Sequence, residues 1–560
     1  MEAGPSAMTT THTSARPDAP AAPAEPPVDV LVIGAGFSGL GMLYHLLERG
    51  FSARVVEAGD DVGGTWYWNR YPGCRCDSPT EVYQFFFSKE LLQDWDWTHV
   101  YPAQPEILSY LRHVADRFDL RRHISLETRV RSASFNDATG TWRSTLDTGE
   151  VVESRFLVTA VGCLSDPQVP AYPGLETFRG EWHHTSRWPH SGVDFTGKRV
   201  GVIGTGSSGI QVIPEIAKEA AHLTVFQRTA NFSFPARNRP LRPGEMEEFK
   251  ASYDAIHAEI RAAKLGQRFA PMPGSALAVP AEVRQRFYEE SWARGNAVLL
   301  FSGWEDLLTN EEANATAADF VRSKIAERID DPETRDSLLP RNHPLGTKRP
   351  PLDTEYFETF NRDNVTLVDL RRTPIEEFCD GGVRVQTGVP DESQVHELDV
   401  LVFATGFDAI TGPLLEIDIT GSGGMSLREK WQDGPLTYLG LATAGFPNMF
   451  TITGPGSPAV ISNMPTAIEQ HNEWIRDCLV YMRDHGYQRI ETSATTEEEW
   501  TVHVSELAQE TLLVKVDSWY MGSNIPGKPR RFLSYLGGVG TYGDVITGVA
   551  AKDYDGFTFG

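Results

Sequence analysis

An α/β fold with two Rossmann-like dinucleotide-binding domains, the second carrying a helical insertion, is predicted by three features of this chain. Two strand–turn–helix–strand units stand about 170 residues apart, each with G-x-G-x-x-G at its turn. That separation is far beyond the roughly 20–50 residues of a solenoid repeat. Between Arg242 and Arg335 the pattern turns helical and heavily charged without strand signals, which marks the insertion.

In chain order, Val28-Asp29-Val30-Leu31-Val32-Ile33 is short, β-branched and nearly continuously apolar, as a parallel strand covered on both faces should be. Gly34-Ala35-Gly36-Phe37-Ser38-Gly39 follows, then a helix-spaced stretch from Leu40 to Arg49 that stops at Gly50, then a strand through Ala53 to Glu57. In this context Gly34 permits the tight turn, Gly36 lets backbone approach a pyrophosphate, and Gly39 lets helix pack closely on strand. The helix N-terminus offers free N–H groups to the phosphates. Glu57 stands where a carboxylate accepts hydrogen bonds from ribose hydroxyls and repels a 2′-phosphate, so the first site suits FAD or NAD rather than NADP.

The second unit has a strand Arg199–Ile203, the turn Gly204-Thr205-Gly206-Ser207-Ser208-Gly209, a helix from Ile210 to Ala221 and a returning strand Leu223–Phe226. It ends Gln227-Arg228-Thr229, so Arg228 occupies the position of Glu57, and a guanidinium there pairs with a 2′-phosphate. The second site suits NADPH. Two sites of opposite charge preference imply electron transfer from NADPH to FAD. Two further apolar runs, Phe156–Ala160 and Val400–Ala404, each lead to a glycine, Gly162 and Gly406, like strands whose ends face a ligand crevice.

Composition closes off other classes. At 560 residues there is room for about three or four domains or sub-domains of roughly 150 residues. With 40% apolar and 23% charged residues the chain matches folded globular proteins. A net charge of −25 argues against a nucleic-acid or anionic-membrane surface. Five cysteines are too few for a disulfide framework and suit a reducing cytoplasm. Pro435 to Ile468 lacks Asp, Glu, Lys and Arg, but Pro447, Pro455, Pro458 and Pro465 would break a lipid-spanning helix, so it reads as buried strand and loop. No secretory signal opens the chain, and residues 1–27, rich in Ala, Pro and Thr, read as a dispensable disordered tail. The expected division is 28–165 for the first part of the FAD domain, 166–395 for the NADP domain with its insertion at about 242–335, and 396–560 for the rest of the FAD domain and a C-terminal loop.

Two longer motifs narrow the family. Gly63-Gly64-Thr65-Trp66-Tyr67-Trp68 leads into Tyr71-Pro72-Gly73-Cys74-Arg75-Cys76-Asp77, and Phe178-Arg179-Gly180-Glu181-Trp182-His183-His184 leads into Thr185-Ser186-Arg187-Trp188-Pro189. Together they resemble the signatures of Baeyer–Villiger monooxygenases, the class B flavoprotein oxygenases, nearest the branch of phenylacetone and steroid monooxygenases. The likeness runs from about Val28 to the C-terminus. It implies FAD-site roles for Thr65, Trp66, Tyr67, Trp68, Asp77, Tyr83, Val130 and Met464, beside Gly34, Gly36, Ser38, Gly39 and Glu57. On the NADP side it implies roles for Lys348, Arg349 and Trp519, beside the second turn, Arg228 and Thr229. Phe178, Gly180, His184 and Trp188 form the linker motif, and the resemblance implies for His184 a role in domain movement and NADP handling rather than proton transfer.

The chemistry so implied is insertion of one oxygen of O2 next to a ketone carbonyl, giving an ester or lactone, through an anionic flavin C4a-peroxide and a Criegee intermediate. A fixed cation must keep the peroxide anionic and stabilise the oxyanion. Arg349 is that cation and Asp77 its ion-pair partner, with Arg70 and Arg75 next in line. Ser78, Val460, Ile461 and Leu533, small to medium in size, leave a pocket for bulky, aryl or cyclic ketones. The rival readings are an N- or S-oxidising flavin monooxygenase, a disulfide reductase weakened by the want of C-x-x-C, and, more remotely, a non-catalytic NADPH-binding regulator. Adjacent His183 and His184 make a poor metal site, so no metal is expected. Beyond ketone and dioxygen no partner is expected, with no nucleic acid, no membrane, and a monomer or weak homo-oligomer.

Overall fold

The structure is a computed structural model that describes residues 27–389 and 391–560. The expected tail therefore lies, apart from Pro27, outside the described residues.

The first glycine unit forms as β1 (Val28–Ile33), α1 (Phe37–Glu48) and β2 (Ala53–Val56). It is joined by β3 (Ile124–Ser125), the antiparallel run β4 (Val130–Asn136), β5 (Thr141–Leu146) and β6 (Val151–Thr159), and later strands of the chain, into a sheet of eight strands among the described residues. β1 pairs in parallel with β2 on one side and β6 on the other. Its apolar run is explained by its two faces. Val30 and Val32 enter the core beneath α1, whereas Leu31 and Ile33 enter a second core with Trp142 and Leu146. Each such side chain contributes about 1.5–3 kcal/mol by leaving water, so the strand cannot slip by one residue without exchanging faces.

The second unit is β8 (Arg199–Ile203), α2 (Ser207–Glu219) and β9 (His222–Gln227), preceded by an edge strand β7 (Glu181–His184) cut from the linker motif. Five helices follow, among them α3 (Glu245–Ala262), α4 (Ala281–Arg294) and α5 (Glu311–Ala326), and they occupy most of the stretch expected as an insertion. β10 (Val365–Asp369) pairs with β9.

One expectation is corrected here. Val400–Phe403, read as part of the returning flavin domain, forms β11 and pairs in parallel with β8 and β7 in the second sheet. A central parallel strand is apolar on both faces in either sheet, so its sequence does not say which sheet it joins. The chain crosses back only after it. The uncharged segment 435–468 holds β12 (Met449–Thr451), paired with β6 in the first sheet, between buried loops, and ends in the start of α6 (Met464–His485), which packs on α1. Among the described residues no helix is long and apolar enough to cross a membrane.

The two crossings between the sheets lie side by side. Gln168 N–H donates to the Gly406 carbonyl at 2.9 Å, Asp408 N–H donates to the Asp166 carbonyl at 2.9 Å, and Pro167 and Phe407 form an antiparallel bridge.

Candidate active site

A cleft of about 1410 Å³ opens between the two glycine turns. Both turns are held in their shape by close backbone approach. Gly34 (φ +104°) and Gly204 (φ +107°) take a left-handed conformation, and a Cβ on them would stand 2.5 Å from the Ala160 carbonyl oxygen and 2.4 Å from that of Ala404. Gly39 and Gly209 do not line the cleft; each lies against the carbonyl of its own turn, where a Cβ would come within 1.8 and 2.2 Å. Gly36 and Gly206 cap α1 and α2 without any side-chain hydrogen bond, and neither helix has an acidic residue in its first turn. Their amide N–H groups face the cleft unpaired by side chains, a donor set made for a diphosphate.

Around the first turn, Ser38, Glu57, Thr65, Trp66, Trp68, Asp77, Tyr83, Val130 and Met464 line the cleft. The Glu57 carboxylate is buried and accepts N–H bonds from Ala35 (2.7 Å) and Gly59 (2.8 Å). Burial raises its pKa against the pull of those bonds. Trp66 donates to the Tyr83 hydroxyl at 3.1 Å. Tyr67 is a correction: its phenol turns away to Asp60 (2.7 Å) and it does not line the cleft, because neighbours on the single-turn helix Thr65–Trp68 point in different directions.

Around the second turn stand Thr205, Ser207, Ser208, Arg228, Thr229, Lys348 and Trp519. Burial and then the charge of Arg228 lower the Lys348 pKa, which shows two cations sharing one place. Arg228 has no carboxylate partner among the described residues, and Lys348 reaches only the Asp517 carbonyl oxygen. Two adjacent cations, neither in an ion pair among the described residues and only partly offset by the Asp517 charge, fit a 2′-phosphate. The residues present therefore fit both dinucleotides.

Arg349 and Asp77 meet at the centre. Nη2 lies 3.0 Å from Oδ1 and 2.8 Å from Oδ2, Nε lies 3.1 Å from Oδ2, and Nη1 donates to the Val460 carbonyl at 2.9 Å. The Asp77 charge holds the guanidinium well above its ordinary pKa against burial, with Tyr520 beside it contributing in the same direction. The Asn231 amide donates to the Arg349 carbonyl at 3.0 Å. Tyr520 stands beside Trp519 in the loop likened to the NADP side and Asn231 opens an Asn-Phe-Ser triplet, but neither context points to the Arg349 pair. Of the reserve cations, Arg75 lines the cleft, whereas Arg70 folds back over the Tyr67 ring, 4.6 Å from its centroid. Ile461 and Leu533 also lie off the cleft; they pack into a neighbouring apolar cluster with Val460.

The linker motif meets the aromatic loop through Arg187, whose guanidinium sits 4.6 Å from the Trp68 ring centroid. Phe178, Gly180, His184 and Trp188 do not line the cleft. His184 is buried, with Nδ1 2.8 Å from the Ser186 hydroxyl, and burial first and Arg187 second lower its pKa to about 4, so it is neutral near pH 7. The loop that carries Trp519 is fastened to the second crossing, where Lys528 pairs with Asp408 and Asn524 donates to the Phe407 carbonyl at 2.9 Å. Among the described residues no cluster of His, Cys, Asp and Glu could hold a metal ion.

Known proteins resemble this chain over most of its length. Residues 28–237 match the family described as flavin-binding monooxygenase-like. A Baeyer–Villiger monooxygenase of Pseudooceanicola batsensis is 42% identical over 94% of this chain and 95% of its own length. An acetone monooxygenase (methyl acetate-forming) of a Gordonia species is 41% identical over 95% and 98%. A phenazine N-monooxygenase of Lysobacter antibioticus is 43% identical over 94% and 96%. A solved oxidised steroid monooxygenase bound to NADP superposes with a TM-score of 0.90 at 46% identity, covering 95% of this chain and 99% of that one.

Proposed function

This chain belongs to the Baeyer–Villiger monooxygenases, FAD-dependent enzymes that use NADPH, and from that premise we propose how its own residues divide the work. The FAD site consists of the first glycine turn with Glu57, Thr65, Trp66, Trp68, Asp77, Tyr83, Val130 and Met464. The NADP site consists of the second turn with Arg228, Thr229, Lys348 and Trp519. The FAD domain takes in 28–165 and the chain after the second crossing at 404–408; the NADP domain takes in the residues between, with the helical insertion.

When bound, the flavin accepts hydride from NADPH and, with dioxygen, supplies the oxygen atom inserted beside the carbonyl. The observation that carries the reading is the Arg349–Asp77 pair facing the cleft between the two turns. The guanidinium, held on one edge by Asp77 and at Nη1 by the Val460 carbonyl, cannot swing to follow solvent. It presents fixed positive charge where negative charge gathers on the attacking oxygen and on the ketone oxygen. A donor so preorganised lowers such a barrier by about 2.7–4 kcal/mol. Trp66, Tyr83 and Met464 give the cleft an apolar wall that keeps water from competing for that charge. His184, buried and off the cleft, lies away from the reacting groups.

The substrate is a ketone, and the class is bulky, aryl or cyclic. The modest side chains of Ser78 and Val460 at the Arg349 end of the cleft support this, as does the likeness to a steroid monooxygenase. Dioxygen as co-substrate, a monomer or weak homo-oligomer, and a reducing cytoplasm, in keeping with five free thiols, complete the reading. The test is to incubate holoenzyme and NADPH in air with aryl, cyclic and steroid ketones and to look by mass for the product one oxygen heavier. No such product from any of them would sink the assignment.

The phenazine N-monooxygenase relative favours a second reading, oxidation of a ring nitrogen. That reaction calls for no fixed cation beside the oxygen donor, so an Arg349→Ala protein that still formed an N-oxide at wild-type rate would support it.

A further inference from the structure

Resting on the ketone reading, we propose that a second cavity beside the cleft is the route by which ketone reaches Arg349, and that Gln267 is its gate. This cavity, of about 410 Å³, lies between the 79–82 turn, helix α3 and the segment that follows α3. It shares no lining residue with the cleft among the described residues. What stands between them is a hydrogen bond: Gln267, which lines the second cavity, donates from Nε2 to Oγ of Ser78, which lines the cleft, at 2.7 Å. Ser78 is the neighbour of Asp77 and so of the Arg349 pair.

The partition is a side chain on a fixed backbone. Leu265 accepts the Asn463 N–H at 2.8 Å, and the Gly266 backbone presses so closely on Asn463 that a Cβ there would meet its Cβ at 3.2 Å. Among the described residues the Gln267 side chain makes that one hydrogen bond to Ser78, and its Oε1 is buried without a partner. Breaking the Ser78 bond therefore frees the amide to turn and join the two spaces. The unpaired buried carbonyl leaves the closed position without a second anchor.

The cavity suits a neutral, partly apolar molecule. Phe249, Phe269 and Val82 furnish apolar wall, and its charges are largely matched, Arg239 with Glu245 at 2.7 Å and Arg268 with Glu259 at 2.9 Å. Its volume falls in the usual range of small-molecule sites. Both faces of the main cleft carry the residues assigned to the dinucleotides, so a ketone path through the cleft would have to cross them.

The test uses benzophenone, an aryl ketone that inserts into nearby C–H bonds under light, on holoenzyme with NADP bound and no turnover. In the wild type, mapped label is expected both in the cavity, at Phe249 or Phe269, and in the cleft, at Val460 or Met464. In Gln267→Trp the cleft label should fall at least about tenfold while the cavity label remains. In Gln267→Ala, which cannot close, the cleft label should persist. Undiminished cleft label in Gln267→Trp, or no cavity label in the wild type, overturns the gate. Because labelling needs no oxygenation, a labelling pattern as expected with no ester from any ketone would defeat the functional reading and leave the route standing. Anaerobic flavin reduction by NADPH, which needs no ketone, reports whether each variant is intact.

Discussion

Arg349 and Asp77, 272 residues apart in the chain, meet side-on, with Nη2 and Nε both bonded to the carboxylate at 2.8 and 3.1 Å. One partner comes from the aromatic loop of the first sheet and the other from the chain returning after the helical insertion. The pair is therefore both a charge device and a seam between two parts of the molecule. Breaking it leaves one charge in the cleft without its match.

Arg349→Ala should uncouple reduction from oxygenation. Hydride transfer needs only the stacking of two rings, so its flavin should still bleach with NADPH in the absence of air. In air, ester formation should fall on the order of 10²–10³-fold or more and hydrogen peroxide should appear instead. Arg349→Lys keeps charge but loses the planar fork, and should retain a trace. Ester at near wild-type rate from Arg349→Ala, measured by mass, would remove Arg349 from the chemistry and leave Arg75, also in the cleft, as the next cation to test.

Arg228→Ala should separate the two coenzymes. It removes charge-assisted hydrogen bonds worth roughly 1.5–3 kcal/mol, so NADPH should bind about 10- to 150-fold more weakly while NADH hardly changes. Titration of the oxidised holoenzyme with each coenzyme decides it. Equal losses would mean that Arg228 supports the fold rather than the phosphate.

Gly206→Ala tests whether the second turn is a phosphate cradle. A Cβ at Gly206 meets nothing within 4 Å, so the protein should fold, hold FAD and melt as before. The methyl group would stand where a diphosphate approaches the α2 amides, and NADPH should bind at least about tenfold more weakly, or ~1.4 kcal/mol. Unchanged NADPH affinity would move the coenzyme away from this turn.

Glu469 predicts a pH effect on stability. It lies buried in α6 and accepts the Phe86 N–H at 2.6 Å; His257, Glu473 and Arg261 are the charged or titratable groups facing it. Burial first and Glu473 second raise its pKa to about 8. A carboxyl raised above its unfolded value holds a proton in the native state that the unfolded chain has already released, so stability falls as pH rises from about 4.5 to 8. Glu469→Gln stays neutral and removes that slope. Its stability relative to wild type, read from thermal melts at each pH, should climb across that window by at most ~1.4 kcal/mol per pH unit and level off above it. A constant difference at all pH values would show that Glu469 does not titrate there.

Much of the site was legible because its residues fall into strict local patterns. The strand–turn–helix grammar located both glycine turns, and the contrast of Glu57 with Arg228 distinguished them before any contact was known. Asp77 and Arg349 came from motif likeness, and their pairing from the fold. What escaped was whatever depends on direction or on distant neighbours. Tyr67 and Trp68 read alike in sequence and their rings touch edge to face at 4.8 Å, but only Trp68 reaches the cleft, while the Tyr67 hydroxyl is drawn to Asp60. β11 reads alike for either sheet. Leu533 and Ile461 are apolar enough for a pocket, and they were drawn instead into the cluster behind it. Tyr520, Asn231 and Gln267 act through single side chains in irregular segments, where no period marks them.

The paired crossings have a mechanical consequence. Two separate tethers would let the sheets tilt, twist and slide independently; two tethers laced together by backbone bonds at 166–168 and 406–408 behave as the pin of a door. Swinging about that pin leaves the lacing intact, whereas twisting across it shears the Gln168–Gly406 and Asp408–Asp166 bonds. Because Lys528 and Asn524 fasten the Trp519 loop to the same pin, the loop is hung from the axis itself.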